Sequence, residues 1–430
     1  MLKTTNRRNF LKSAGVTAAG FWVAGGVSAR AGQSPNERLG MASIGIGGKG
    51  HSDSQDAARH GDLVAICDAD KNRLAGALKR FPKAKGYTDF RKMLEDMGRS
   101  IDAVTVSTPD HMHAPAALMA MRMGIHCFCQ KPLTRTIYEA RLVGQVAREM
   151  KLATQMGNQG TASDTLRRSA HWLKNGAIGK VRELHIWTDR AKGWWPQGID
   201  RPAPSKPPEH LPWDLWLGVA PQRPYADGYH PFKWRGWWDF GTGALGDIAC
   251  HSVSMPFMGL DLRNPISAEA ETSGHNKDSF PEWSIITYEF AATDARPALK
   301  LVWYDGGKLP PKELLGGREP SPKGGSLAIG ERGILLNDQL LDGGEPVDVE
   351  FPRSPGHFEE WIRAIKTGEP AMSNFPDYAG PLTEAMLVGN LSIWCGEKVE
   401  WDAANMQVTN VPGLEPLIKP VYRKGYTLDA

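Results

Sequence analysis

Leu39-Gly-Met-Ala-Ser-Ile44-Gly45-Ile-Gly47-Gly48-Lys-Gly50, followed after a short interval by Leu63-Val-Ala-Ile-Cys67-Asp68, is the stretch that decides how this chain folds. A short apolar run leads into a glycine-rich turn, and Asp53 to Arg59 then suits a helix. Strand, turn and helix in that order begin a parallel sheet with crossover helices. Gly45 permits the tight turn, Gly47 and the neighbouring Gly48 let backbone approach a pyrophosphate, and Gly50 allows close helix packing. The second apolar run ends at Asp68, eighteen residues after Gly50. A carboxylate there accepts hydrogen bonds from ribose hydroxyls and repels a 2′-phosphate, so the pair implies a dinucleotide site and favours NAD over NADP.

Two further buried strands are predicted outward from this core, Ile101 to Ser107 and Ile125 to Cys129. They lead into Thr108-Pro109-Asp110-His111-Met112-His113 and Gln130-Lys131-Pro132. Both loops follow strand carboxyl ends, where open α/β sheets bind ligands, so Thr108, Pro109, His113, Gln130 and Lys131 are candidates to line the nicotinamide end. Lys131 presents an ammonium there to cofactor and substrate hydroxyl. No cluster with metal-ligand spacing accompanies Asp110, His111 and His113, so no metal is expected. The expected fold class is α/β, with a doubly wound Rossmann sheet over residues 36–155.

From Gly157 the pattern changes. A helix is expected at Thr165 to Asn175 and a strand at Val181 to Thr188, after which eight of the fifteen tryptophans fall between Trp187 and Trp238. Clustered on loops, such rings stack against sugar faces while charged neighbours bond hydroxyls. His230, Trp234, Arg235, Trp237, Trp238 and Asp239 are therefore candidate substrate-binding residues. Asp247 and His251, four apart, share a helix face, the imidazole suited to act as general base and the carboxylate to orient it or the substrate. Strands at Ser284 to Ala291, Leu299 to Trp303, Ser326 to Gly330 and Gly333 to Asn337 suggest a mostly antiparallel sheet within a domain spanning 156–400. Residues 306–325 read as a mobile loop and lid. Phe358 to Lys366 and Leu382 to Cys395 read as amphipathic helices, and residues 401–430 as an arm wrapped on a neighbour or a second subunit.

The 430 residues carry a formal charge of +3, but Lys3, Arg7, Arg8, Lys12 and Arg30 all lie in an acid-free N-terminus. The rest holds 46 basic against 48 acidic residues, which offers no footprint for nucleic acid or an anionic membrane. Residues 1–31, with Thr5-Asn-Arg7-Arg8-Asn-Phe-Leu-Lys12, an apolar stretch and Ala29-Arg-Ala31, form an export signal resembling the twin-arginine type, which carries folded proteins. The expected location is the periplasm, with no membrane span after processing. Cys67, Cys127, Cys129, Cys250 and Cys395 are odd in number and scattered, so no disulfide framework is expected.

In combination, I-G-I-G-G-K-G (44–50), C-D-A-D (67–70), S-T-P-D-H-M-H-A-P (107–115), C-Q-K-P-L-T (129–134), G-A-L-G-D-I-A-C-H (243–251) and V-E-W-D (399–402) give the chain its family resemblance. From Arg38 to Tyr426 it resembles the glucose-fructose oxidoreductase / inositol dehydrogenase / rhizopine-catabolism (Gfo/Idh/MocA) oxidoreductases. The resemblance implies a Rossmann domain followed by an α/β domain with a large open sheet, and a homo-oligomer. By the same resemblance Lys131 matches the lysine of the family's E-K-P motif, and Asp247 and His251 match its substrate-site acid and base. Gln130 stands where the family usually has Glu. Lys131 is therefore expected to be more fully cationic and to serve as a donor, leaving His251 as the better candidate base and Lys131 as the alternative. The implied function is an exported NAD-dependent oxidoreductase acting on a hydroxyl of a sugar or glycoside. Export in the folded state, away from the cytoplasmic cofactor pool, requires that NAD stay bound. One alternative is a redox-neutral NAD-dependent glycosidase that oxidises, eliminates, hydrates and reduces; another is a non-catalytic NAD-dependent sugar binder.

Overall fold

The computed structural model describes residues 38–423, 425, 426 and 428, so the export signal at 1–31 lies outside the described residues. The first sheet is built from β1 (Leu39–Ile44), β2 (Gly61–Cys67), β3 (Lys85–Tyr87), β4 (Ala103–Val106), β5 (His126–Cys129) and β6 (Thr154–Met156). All pair in parallel in the order β3-β2-β1-β4-β5-β6. Its crossover helices are α1 (Lys49–His60), α2 (Lys71–Arg80), α3 (Phe90–Met97), α4 (His113–Arg122) and α5 (Ile137–Glu149). Strands β1, β2, β4 and β5 are largely buried, which is why they read as near-continuous apolar runs, whereas the edge strands β3 (Lys-Gly-Tyr) and β6 (Thr-Gln-Met) do not. Ile44 pairs with both Cys67 and Val106, and Val106 with Cys129. Gly45, Asp68, Ser107 and Gln130 therefore leave the sheet along one edge.

After α6 (Asp164–Lys174), a nine-stranded sheet is assembled from β7 (Val181–Thr188), β8 (Ser267–Thr272), β9 (Ser284–Phe290), β10 (Leu299–Tyr304), β11 (Gly324–Gly330), β12 (Ile334–Leu336), β13 (Gln339–Leu341), β14 (Val399–Asp402) and β15 (Gln407–Val408). Only β7 and β10 pair in parallel; the rest is antiparallel, in the order β13-β12-β11-β7-β10-β9-β8-β14-β15. Between β7 and β8 the chain forms a long irregular segment and the helices α7 (Gly243–Ser252) and α8 (Ser254–Leu260).

Two later helices complete the packing, one on the first sheet and one between the two sheets. Helix α9 (His357–Thr367) is amphipathic as expected, and Phe358, Trp361 and Ile362 pack in one cluster with Leu39, Met41 and Phe128 of the first sheet. Helix α10 (Gly380–Cys395) is not amphipathic: it buries every residue from Leu382 to Ile393. The reason is its position, wedged between α5 of the first unit and β8 of the second, so that it has no solvent face.

The loop at 306–325 has some regular structure. It contains a helical turn at Lys312–Leu315, and Leu315 is buried with Trp187 and Tyr304. The C-terminal arm packs on its own chain: Trp401 and Leu428 are buried, Tyr422 Oη donates to Glu139 Oε1 at 2.7 Å, and Arg423 pairs with Asp214. The five cysteines are free. Among the described residues no helix is long and apolar enough to cross a membrane, and no group of three or more His, Cys, Asp or Glu is arranged to hold a metal ion.

Candidate active site

A cavity of about 360 Å³ follows the carboxyl edge of the first sheet, touching in strand order Thr88, Asp68, the glycine turn, Thr108 and Lys131. Gly45 has φ +78°, and a Cβ there would stand 2.6 Å from the Ser107 carbonyl oxygen. A Cβ on Gly50 would land on the carbonyl of Gly45, so α1 starts against the turn only because both positions lack side chains. Gly47 and Gly48 line the cavity, and the helix begins immediately after them at Lys49. Asp68 accepts the Ile46 N–H at 3.0 Å on one oxygen and the Asp70 N–H at 2.9 Å on the other. Burial raises its pKa despite these bonds. Each carboxylate oxygen keeps a further lone pair for a ligand hydroxyl. Thr108 and Pro109 also line the cavity, and Thr108 Oγ1 and Asp110 Oδ1 are buried without a hydrogen-bond partner among the described residues. A glycine cradle at a helix N-terminus, a ribose-side carboxylate and orphaned polar atoms on the wall fit a dinucleotide.

His113, expected beside the nicotinamide, is not on the cavity wall. Its Nδ1 lies 2.8 Å from the Pro132 carbonyl and its Nε2 2.8 Å from that of Thr108, so it braces the two loops together. Burial lowers its pKa to about 4. Gln130 does line the cavity, and its amide donates to Asp53 at 2.9 Å. The same carboxylate oxygen takes the Ser107 hydroxyl at 2.7 Å, and Lys49 pairs with the other. The side chain at 130 thus faces α1 and not Lys131.

The missing glutamate does not leave Lys131 unpaired. Its Nζ donates to Asp247 Oδ1 and to the Asp247 carbonyl, both at 2.9 Å. Burial would lower the Lys131 pKa, but Asp247 overrides it and the value is raised. Arg235 Nε bonds the same Asp247 oxygen at 3.0 Å, and its guanidinium lies 4.2 Å from the Trp234 ring and 4.4 Å from that of Phe232. Burial favours a protonated Asp247, yet the two cations hold its pKa at about 2. Asp247 is therefore a counter-ion fixing Lys131 and Arg235, not the partner that orients His251. One turn on in α7, His251 lines the cavity, and burial together with Lys131 lowers its pKa to about 4. It is a neutral imidazole near pH 7, poised to accept a proton.

Among the candidate sugar-binding residues, Trp234 and Arg235 reach the cavity. Trp237, Trp238 and Asp239 do not. Trp237 is 1% exposed and packs against Tyr229, Trp238 stacks on Phe280 at 3.7 Å, and Asp239 pairs with Arg201 and Arg223. The long segment carrying them has few regular elements, so its aromatics build a small core of their own with Trp216, Tyr225 and Phe240. His230 lies on the cavity, 3.0 Å from Asp70, which places it at the Asp68 end instead of the Lys131 end. No residue of 306–325 lines this cavity, so the expected lid is not over it.

Sequence reasoning missed Arg73, Asp110, Phe232 and Tyr426, all on the cavity wall. Asp110 sits within a motif already singled out; burial and the nearby Asp247 charge raise its pKa to about 7, and Thr242 Oγ1 donates to it at 2.8 Å. Tyr426 carries no local signal in the sequence.

Comparison with known proteins gives the same two-part division. The oxidoreductase family with an NAD-binding Rossmann fold matches residues 38–158, and its C-terminal alpha/beta domain matches 175–296. Levoglucosan dehydrogenase of Pseudarthrobacter phenanthrenivorans is 25% identical over 190 residues, 44% of this chain and 40% of that protein. A glycosyl hydrolase family 109 protein of Shewanella pealeana is 30% identical over 202 residues, 41% of this chain and 44% of that protein. The match thus spans less than half the length of these curated relatives. The crystal structure of GenD2 from gentamicin A biosynthesis in complex with NAD shares the fold, with TM-score 0.59 and 19% identity over 88% of this chain and all of that one. The two family matches together span more than half of the residues, in the order the two sheets are built, and the chain belongs to the Gfo/Idh/MocA oxidoreductases.

Proposed function

We propose that the protein is an exported NAD-dependent oxidoreductase that oxidises a hydroxyl of a sugar or glycoside and retains its NAD. The observation that carries this reading is the cation pair Lys131 and Arg235, fixed by Asp247, beside a neutral His251 in the cavity that also holds the glycine turn and Asp68. NAD, when bound, supplies the hydride acceptor. Lys131 uses two of its N–H protons on Asp247 and keeps the third for a sugar oxygen. Arg235, stacked between Phe232 and Trp234, presents the rest of its fork to neighbouring hydroxyls. A ring nitrogen of His251 takes the hydroxyl proton as the carbon is oxidised. The neutral state of His251 and the charged state of Lys131 are the forms this division of labour needs.

The likeness to a glycosyl hydrolase family 109 protein favours a second reading, in which the oxidised sugar loses its aglycone, takes up water and is reduced again on the same cofactor. Both readings keep NAD in place. The export part of the proposal rests on Arg7-Arg8 and the residues around it, and assembly into a homo-oligomer rests on the family. The test is to denature purified mature protein and measure nicotinamide released per chain, then to follow nicotinamide absorbance and aglycone release over a panel of sugars and glycosides. About one equivalent of NAD is expected. Cofactor-free protein that needs added NAD at every turnover overturns retention. Absorbance change without cleavage selects oxidation, cleavage without net reduction selects the closed cycle, and neither on any substrate removes both.

A further inference from the structure

Tyr426 belongs to the C-terminal arm yet forms part of the cavity wall, together with Ala69, Thr88 and Phe90 near Asp68. Several independent anchors hold it there. Arg91 donates to the Gly425 carbonyl at 3.2 Å and lies 4.4 Å from the Tyr426 ring, while the Arg423 guanidinium lies 4.9 Å from the same ring. Arg423 in turn bonds the Gly218 carbonyl at 2.9 Å and Gln222 at 2.7 Å and pairs with Asp214. Leu428, 4% exposed, plugs the arm into the core beyond. The arm thus brings an aromatic ring to the cavity wall, with the Arg91 and Arg423 guanidinium groups beside it.

The position of that ring has a chemical meaning. Asp68 is the ribose-side carboxylate, so the end of the cavity beyond it, toward β3, is where the adenosine half of a dinucleotide is accommodated. An aromatic face on that wall gives a base something to lie against, and such contacts typically change binding by tenfold or more. We propose that the C-terminal arm is part of the cofactor site, with Tyr426 closing the adenosine end of the cavity and slowing the escape of bound NAD. This rests on the reading that NAD occupies the cavity and is retained.

The experiment uses full-length mature protein and two readouts that need no substrate: the dissociation constant for NAD by calorimetry on cofactor-stripped protein, and the rate of NAD release into a trapping solution. Tyr426→Ala is expected to weaken binding and speed release by on the order of tenfold, and Tyr426→Phe, which keeps the ring, to behave as wild type. Arg423→Gln unpins the arm without altering the cavity wall and is expected to shift both quantities in the same direction; it decides the matter if Tyr426→Ala does not fold. Wild-type constants for a folded Tyr426→Ala overturn the proposal. If wild-type protein itself releases NAD within seconds, the retention reading fails, whereas the ratio of variant to wild-type affinity still judges the arm.

Discussion

Asp247 accepts from Lys131 and Arg235 on one oxygen, and this small knot sets the charge state of everything around it. A carboxylate held at about 2 stays ionised at any working pH, so both cations stay charged, and Lys131 in turn helps keep His251 unprotonated down to about 4. His251→Ala is therefore expected to lower kcat by a factor on the order of 100 or more while NAD content per chain is unchanged. The sign of the pH effect follows. A base titrating near 4 is fully available above pH 5 and lost as pH falls through 4, so the acid limb of kcat/KM belongs near 4 and not near the usual histidine value of 6.5. Turnover within a few-fold of wild type removes His251 as the base, whereas an acid limb at 6.5 means that burial and Lys131 do not hold its imidazole down. The identities of Lys131, Asp247 and His251 were legible in the sequence because their motifs are local, but their pairings were not. That Gln130 serves Asp53, 77 positions away, and that Asp247 serves Lys131, 116 positions away, depends on contacts no local pattern encodes.

At the scale of elements, the glycine turn was read correctly because Gly50 packs on the Gly45 carbonyl close by in the chain, although Gly45 itself meets the distant Ser107 carbonyl. Gly50→Ala makes this testable: its methyl would collide with the Gly45 carbonyl, a backbone atom that cannot rotate away. Expected outcomes are a loss of about 1–3 kcal/mol in denaturant unfolding and a marked weakening of NAD binding, because α1 must lift from the turn. An unchanged midpoint and affinity would mean that the helix accommodates the methyl elsewhere. The four central parallel strands announced themselves as apolar runs, whereas the edge strands β3 and β6, short and polar in sequence, were missed, as was β8, Ser-Ala-Glu-Ala-Glu-Thr, whose residues from Glu269 to Thr272 retain solvent exposure. The tryptophan-rich segment misled for a different reason. Composition says that rings cluster, but whether they face a ligand or one another is decided by the path of an irregular chain, and here Trp237 and Trp238 turn inward.

For the molecule as a whole, the two-sheet plan was legible from the switch between continuous and alternating apolar patterns, while the connections across it were not. The C-terminal arm and the all-buried α10 are long-range features, and their sequences read as irregular tail and ordinary helix until the surfaces they meet are known. The proposed N-terminal export signal adds a prediction at this scale. Replacing Arg7 and Arg8 by Lys is expected to leave folded precursor inside the cell, detected by fractionation, and normal export of that variant would remove the twin-arginine assignment. The order of the elements also bears on how the chain is made. Strand β6 ends at Met156, but the cover over one face of that first sheet, Phe358, Trp361 and Ile362 of α9, lies roughly 200 residues later. At about 5–20 residues per second, ribosomal synthesis leaves that face, which Ala57 of α1 and Leu74 and Ala77 of α2 cover in part, without its α9 cover for about 10–40 s. A fragment that stops before α9 leaves Phe128 and its neighbours without that cover, and it is expected to unfold at lower denaturant than the whole chain.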